Sequence, residues 1–173
     1  MNQAAPHIAV RGEEGIITIG FDAVAAYHGQ AALAMLAVTF QALRLAFSAL
    51  SPSAPPARGD ISILSGHPGP GVRDAFEFVT RAVTRNAYVV DRALPEGRLV
   101  PQANISYSFR VTIAGRTAIL SLKPDALPRR FFELNFTPSR SAADERELSA
   151  LKRSIAGDVL ARPAETLFAL SLA

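Results

Sequence analysis

Three histidines, two closely spaced carboxylates and one glycine-rich turn are the residues of this chain whose types and spacing could do chemistry. Tyr27-His28-Gly29 precedes a long apolar stretch. A glycine beside an imidazole lets backbone or ligand approach it closely. Gly66-His67-Pro68-Gly69-Pro70-Gly71-Val72-Arg73-Asp74 joins a strand-like segment to a helix-like one. Free amides at a helix start attract anions, and Arg73 adds charge. The spacing is neither the dinucleotide fingerprint nor a P-loop, since it contains no Gly-x-Gly-x-x-Gly and no Gly-Lys-Ser/Thr. Asp74 and Glu77, three apart, lie on neighbouring faces of the helix that follows, a spacing that serves acid–base work or a metal, or simply a helix dipole and a surface. His7 falls in what reads as a frayed start. No Ser-His-Asp set and no zinc-binding helix motif is present. The candidate ligand-binding residues are therefore His28, Gly29, His67, Gly69, Gly71, Arg73 and Asp74, with no metal set and no cofactor or catalytic residue assigned.

These positions need elements to hold them. Ile8 to Val10 and Ile16 to Gly20 read as short strands joined by a turn over Arg11 to Gly15. A long helix starts at Asp22 or restarts after Gly29 and runs to Leu50. It is apolar nearly all round, with Gln30, Gln41, Arg44 and Ser48 on one narrow stripe, and belongs at the centre of the fold. Ser51 to Pro56 ends it. Asp60 to Ser65 reads as a buried strand, Val72 to Thr84 as an amphipathic helix, and Ala87 to Val90 as a strand beside the first. Ile105 to Ala114 alternates and turns at Gly115-Arg116 into Thr117 to Leu122, a hairpin with one wetted face. Phe131 to Phe136 suggests a further strand. Ser141 to Asp144 is a capping-box start for a helix that carries Leu148, Leu151 and Ile155 inward and ends near Gly157. Pro163 opens a last helix over Ala164 to Leu170. The expected class is α+β: one domain over 1–173, with a mixed or antiparallel sheet, a long central apolar helix, an amphipathic helix after the Gly/Pro-rich turn, and C-terminal helices.

Composition narrows the function classes. The chain has 173 residues and no cysteine, which excludes disulfides, iron–sulfur clusters and thiol nucleophiles. Net charge is +3, yet basic residues are scattered, the only adjacent pairs being Arg129-Arg130 and Lys152-Arg153. That points away from nucleic acid. Hydrophobic residues reach 49% and charged ones only 19%, below the usual quarter, so a homodimer interface is expected. Ala31 to Leu50 has the length of a membrane span, but Gln41 and Arg44 interrupt it, and a buried helix is the reading adopted. Met1 to Gly15 lacks an apolar signal region, and a cytoplasmic location follows as the default.

The order of these pieces resembles the E-subunit family of formylmethanofuran dehydrogenase. That family opens a long apolar helix with His-Gly-His-x-Cys-Pro-Gly, then has a strand, a Cys-containing turn, an Asp-Ala-opened helix, a late hairpin and a Leu-Phe tail. Tyr27-His28-Gly29-Gln30-Ala31-Ala32, Asp74-Ala75-Phe76-Glu77 and the segment from Ser154 to Leu170 with Glu165-Thr166-Leu167-Phe168 are the matching stretches. Gln30 stands at the second histidine, Ala32 at the cysteine, Leu33-Ala34 at Pro-Gly, and Ala82 near another expected cysteine. Only His28 and Asp74 carry over. The resemblance implies an α+β fold, a tendency to dimerise, and metal binding in members that keep thiolates, which are the tightest soft-metal ligands. Three readings follow: a small ligand or weakly held metal near His28 and the 66–74 turn, a noncatalytic protein for dimerisation or partner docking, or a metal-free enzyme with a histidine general base.

Overall fold

A computed structural model describes residues 6–173. The class is α+β. Strands β1 (His7–Arg11) and β2 (Ile16–Gly20) form an antiparallel hairpin, closed by the Gly12 N–H on the Gly15 carbonyl at 2.8 Å. His7, expected in a frayed start, pairs with Gly20 as the first rung. Ile8, Val10 and Ile19 face the core, and Ile16 and Ile17 stay exposed.

Both starts foreseen for the first long helix are used, by two helices. Helix α1 (Phe21–His28) ends where Gly29 takes φ of +88°, which only glycine adopts without strain. One 3-10 turn over Gln30–Ala32 leads into α2 (Leu33–Leu50). The segment Gln30–Leu50 is long and apolar enough to cross a membrane by length and composition, with an 18-residue window of mean hydropathy 1.7, and 78% of that window is buried inside the protein. Gln41 does not break its burial. The Gln41 side chain amide donates to the Val159 and Arg162 carbonyls at 2.8 Å each, satisfying groups that a helix end leaves open, while its oxygen accepts from Arg44 at 2.7 Å.

The main sheet has the order β4-β3-β5-β6-β7. Strand β3 (Ile61–Ser65) pairs in parallel with β4 (Tyr88–Val90), the neighbours expected from the β-α-β run, and α3 (Pro70–Thr80) connects them. The helix starts two residues before the expected Val72, because Pro70 suits its first position, and stops at Arg81, which takes the left-handed conformation. Strands β5 (Ser108–Ile113) and β6 (Arg116–Leu122) form the expected hairpin, turned by Ala114 and Gly115 at positive φ. Strand β5 begins three residues after the expected Ile105. Ser106 and Ser108, placed on the wetted face by alternation, are fully buried and bond to each other at 2.6 Å.

Three expectations for the last third are corrected. Phe131 to Phe136 is not a strand but part of α4 (Arg129–Asn135), since Phe131 and Leu134 bury one helical turn apart and Arg129 pairs with Glu133 at 3.0 Å. Helix α5 (Ala142–Ala161) has the capping box of Ser141 and Asp144 but runs past Gly157, whose exposed position meets nothing, to bury Val159. The last helix is one turn, α6 (Ala164–Leu167), and Phe168–Leu172 is strand β7, antiparallel to β6 at the sheet edge. Helices α2 and α5 pack together, and α2 also lies against β5 and β6, so the core sits between α2 and the sheet.

Candidate functional site

The 66–74 turn is built for close approach. Gly66 bonds across to strand β5, and a Cβ on it would meet Ser106 at 2.5 Å. The Ser65 hydroxyl accepts from the His67 N–H at 3.1 Å and donates to the His67 carbonyl at 3.0 Å, which fixes the turn behind the strand. The Gly69 N–H donates to His67 Nδ1 at 2.9 Å. The imidazole lies so close that a Cβ on Gly69 would meet it at 2.5 Å. Gly71 is equally constrained: its Cβ would meet that of Ala32 at 2.6 Å, so bare backbone lets the start of α3 pack on the start of α2.

These contacts leave a cavity of about 180 Å³ between the two helix starts. His67, Gly69, Pro70, Gly71 and Val72 form one wall, and Ala31, Ala32, Ala34 and Met35 form another. Tyr107 lines it, and Phe131, Asn135 and Lys152 complete it from α4 and α5. No carboxylate is among its lining residues, and neither α2 nor α3 has an acid in its first turn. Gly71 and Val72 hold first-turn N–H groups that have no partner within the helix, and no side chain caps α3.

His67 and Tyr107 are its two buried polar side chains, 8% and 1% exposed. Burial, with Arg92 as a lesser cause, pushes the His67 imidazole down to about 4. It is neutral near pH 7, and because Nδ1 accepts, Nε2 carries the hydrogen. Burial pushes the Tyr107 phenol up to about 12. The Tyr107 hydroxyl is buried with no hydrogen-bond partner among the described residues. Its backbone is fixed on both sides: its N–H bonds to Gly97 at 2.8 Å and its carbonyl accepts from Leu122 at 2.9 Å.

His28 and Asp74 meet elsewhere on the same turn. His28 Nδ1 donates to the Asp74 carboxylate at 2.7 Å, with side chains 11% and 22% exposed. Arg73 touches the other carboxylate oxygen at 3.3 Å. This pair joins the end of α1 to α3. His28, Gly29, Arg73 and Asp74 lie outside the cavity lining, whereas His67, Gly69 and Gly71 form part of it. Glu77 is not a surface acid. It is 5% exposed and accepts from the Val83 N–H at 2.8 Å, the Thr84 N–H at 3.1 Å and the Thr84 hydroxyl. Burial opposes its ionisation, but these bonds and Arg81 hold its carboxyl below the usual range.

Sequence reading missed Tyr107 and Lys152 as site residues. Tyr107 sits in an alternating run that reads as core, and its unpartnered hydroxyl is visible only in three dimensions. Lys152 sits in a basic pair of an exposed-looking helix. Among the described residues no group of three or more His, Cys, Asp or Glu side chains comes together to hold a metal. No family model and no curated protein matches the chain, so its site is defined by geometry alone.

Proposed function

We propose that the protein binds a small organic molecule in the cavity between the starts of α2 and α3. The observation that carries this is Tyr107, a residue that lines that cavity and whose buried hydroxyl has no hydrogen-bond partner among the described residues. A buried hydroxyl left unsatisfied costs about 1–3 kcal/mol, and folded proteins rarely leave one so without a reason. A ligand atom in the cavity gives it a partner. The absence of a three-donor set among the described residues favours an organic ligand over a metal ion.

Two other readings have less support. An enzyme using His67 as general base would need a free basic nitrogen, yet Nδ1 is occupied by Gly69 and Nε2 carries a hydrogen. Docking to a second copy is favoured by Ile16, Ile17, Leu170 and Leu172, which stay exposed on β2 and the edge strand β7. The ligand reading is tested by a fragment screen followed in amide NMR spectra. Binding fragments should shift the Gly69, Gly71 and Val72 amides. Hits that shift only residues away from the cavity refute it.

A further inference from the structure

Resting on that reading, we infer that the cavity takes a small organic carboxylate, its carboxylate group toward Tyr107, His67 and Lys152 and its apolar part against Ala31, Met35 and Phe131. The polar groups at the cavity are biased to one charge. The His67 ring offers Nε2–H because Nδ1 is taken. Tyr107 has an unused hydroxyl. Lys152 brings an ammonium with no carboxylate in ion-pair range among the described residues. The first-turn amides of α3 add positive potential. No lining residue is acidic. An anion gains from every one of these groups, while a cation would find only the phenol oxygen and the Asn135 amide oxygen among the lining side chains.

Size and wall chemistry choose among anions. A cavity of about 150 Å³ holds a benzene molecule, so about 180 Å³ suits a ligand of similar bulk carrying one small polar group. The remaining wall is alanine, glycine, methionine, proline, valine and phenylalanine, with Asn135 as its one further polar side chain. A phosphate dianion would be desolvated against that wall with a single cation to face it, and burying charge beyond its partners is costly. A monoanion with an apolar body matches both halves.

The test uses the full-length protein with benzoate, benzamide and inorganic phosphate, measured by calorimetry and by shifts of the Gly69, Gly71 and Val72 amides. Benzoate should bind at the cavity at least about tenfold more tightly than benzamide, as expected when a charge-assisted bond replaces a neutral one. Lys152→Met should remove that advantage, and Lys152→Arg should restore most of it. Equal binding of benzamide and benzoate, or benzoate binding indifferent to Lys152→Met, overturns the carboxylate and leaves the ligand site standing. Phosphate that binds the cavity more tightly than benzoate also overturns it, in favour of a phosphate ligand. If none of the three shifts the cavity amides, both this inference and the site reading fall.

Discussion

The His67 imidazole stands edge-on to the Tyr107 ring, with centroids 5.0 Å apart and planes at 64°. Tyr107 in turn meets Phe132 edge-on at 5.5 Å. A neutral imidazole is at home in that stack, and an imidazolium is not. His67 therefore makes stability depend on pH. Its folded value of about 4 lies below the ordinary 6.5, so the unfolded chain binds the proton more readily. The contribution is fully present above pH 6.5, is lost as pH falls toward 4, and is level below that. The size is on the order of 3 kcal/mol. Denaturant midpoints from pH 7 to 4 should show this loss. In His67→Asn, whose amide oxygen can accept from Gly69 in place of Nδ1, the slope over that window should flatten. An unchanged slope contradicts the assignment.

His28 and Asp74 hold α1 to α3, and their bond lies outside the cavity lining. His28→Ala and Asp74→Ala should each lower stability by about 1–3 kcal/mol. The double variant should show a coupling near 1–2 kcal/mol. Affinity for cavity ligands should change less than threefold, roughly the scatter of a distant substitution. Loss of binding in His28→Ala without loss of thermal stability would place His28 in the site instead.

Gly71 is the contact that sets the spacing of the two helix starts. Gly71→Ala should destabilise by about 1–3 kcal/mol, because the added carbon meets Ala32 at 2.6 Å and a packed core resists insertion. Ala32→Gly in the same chain removes the obstructing atom and should recover part of the loss in a thermal melt. No loss in the single variant would mean that the α2 and α3 starts are not in contact.

We expect a homodimer, since the charge fraction is low and Leu170 and Leu172 are exposed on edge strand β7. Light scattering at submillimolar concentration should return about twice the 18.4 kDa chain mass. Leu172→Lys on edge strand β7 should weaken association, because lysine on an edge blocks strand-to-strand pairing. A monomer mass at all concentrations contradicts it.

Local signals in the sequence read well where they agree with one another. Proline and glycine around α3, the capping box of Ser141 and Asp144, and the alternation through Val111 and Ile113 each have one structural reading, and each element formed. Phe131 to Phe136 misleads because adjacent phenylalanines favour strands, whereas Phe131 and Leu134 bury at helical spacing. Phe168, Leu170 and Leu172 alternate as a strand does, but Pro163 and its followers suggest a helix, and both occur in succession. The glycine turn and His67, read from the sequence as candidates, line the cavity. Tyr107 and Lys152, which also line it, were not candidates, because a hydroxyl and an ammonium without partners among the described residues are facts of distance. His28 and Glu77 show the reverse: residue types suited to chemistry that fold into structural bonds.

The most direct test is Tyr107→Phe, measured for stability and for benzoate affinity in the same preparation. The hydroxyl has no partner among the described residues, so removing it should leave the melting temperature unchanged or raise it, by as much as about 1–3 kcal/mol of stability. Benzoate affinity should fall about tenfold, because the ligand loses the donor that the fold keeps open. A variant that binds benzoate as well as the parent protein contradicts the site, and a variant that loses stability shows that the hydroxyl already has a partner within the protein.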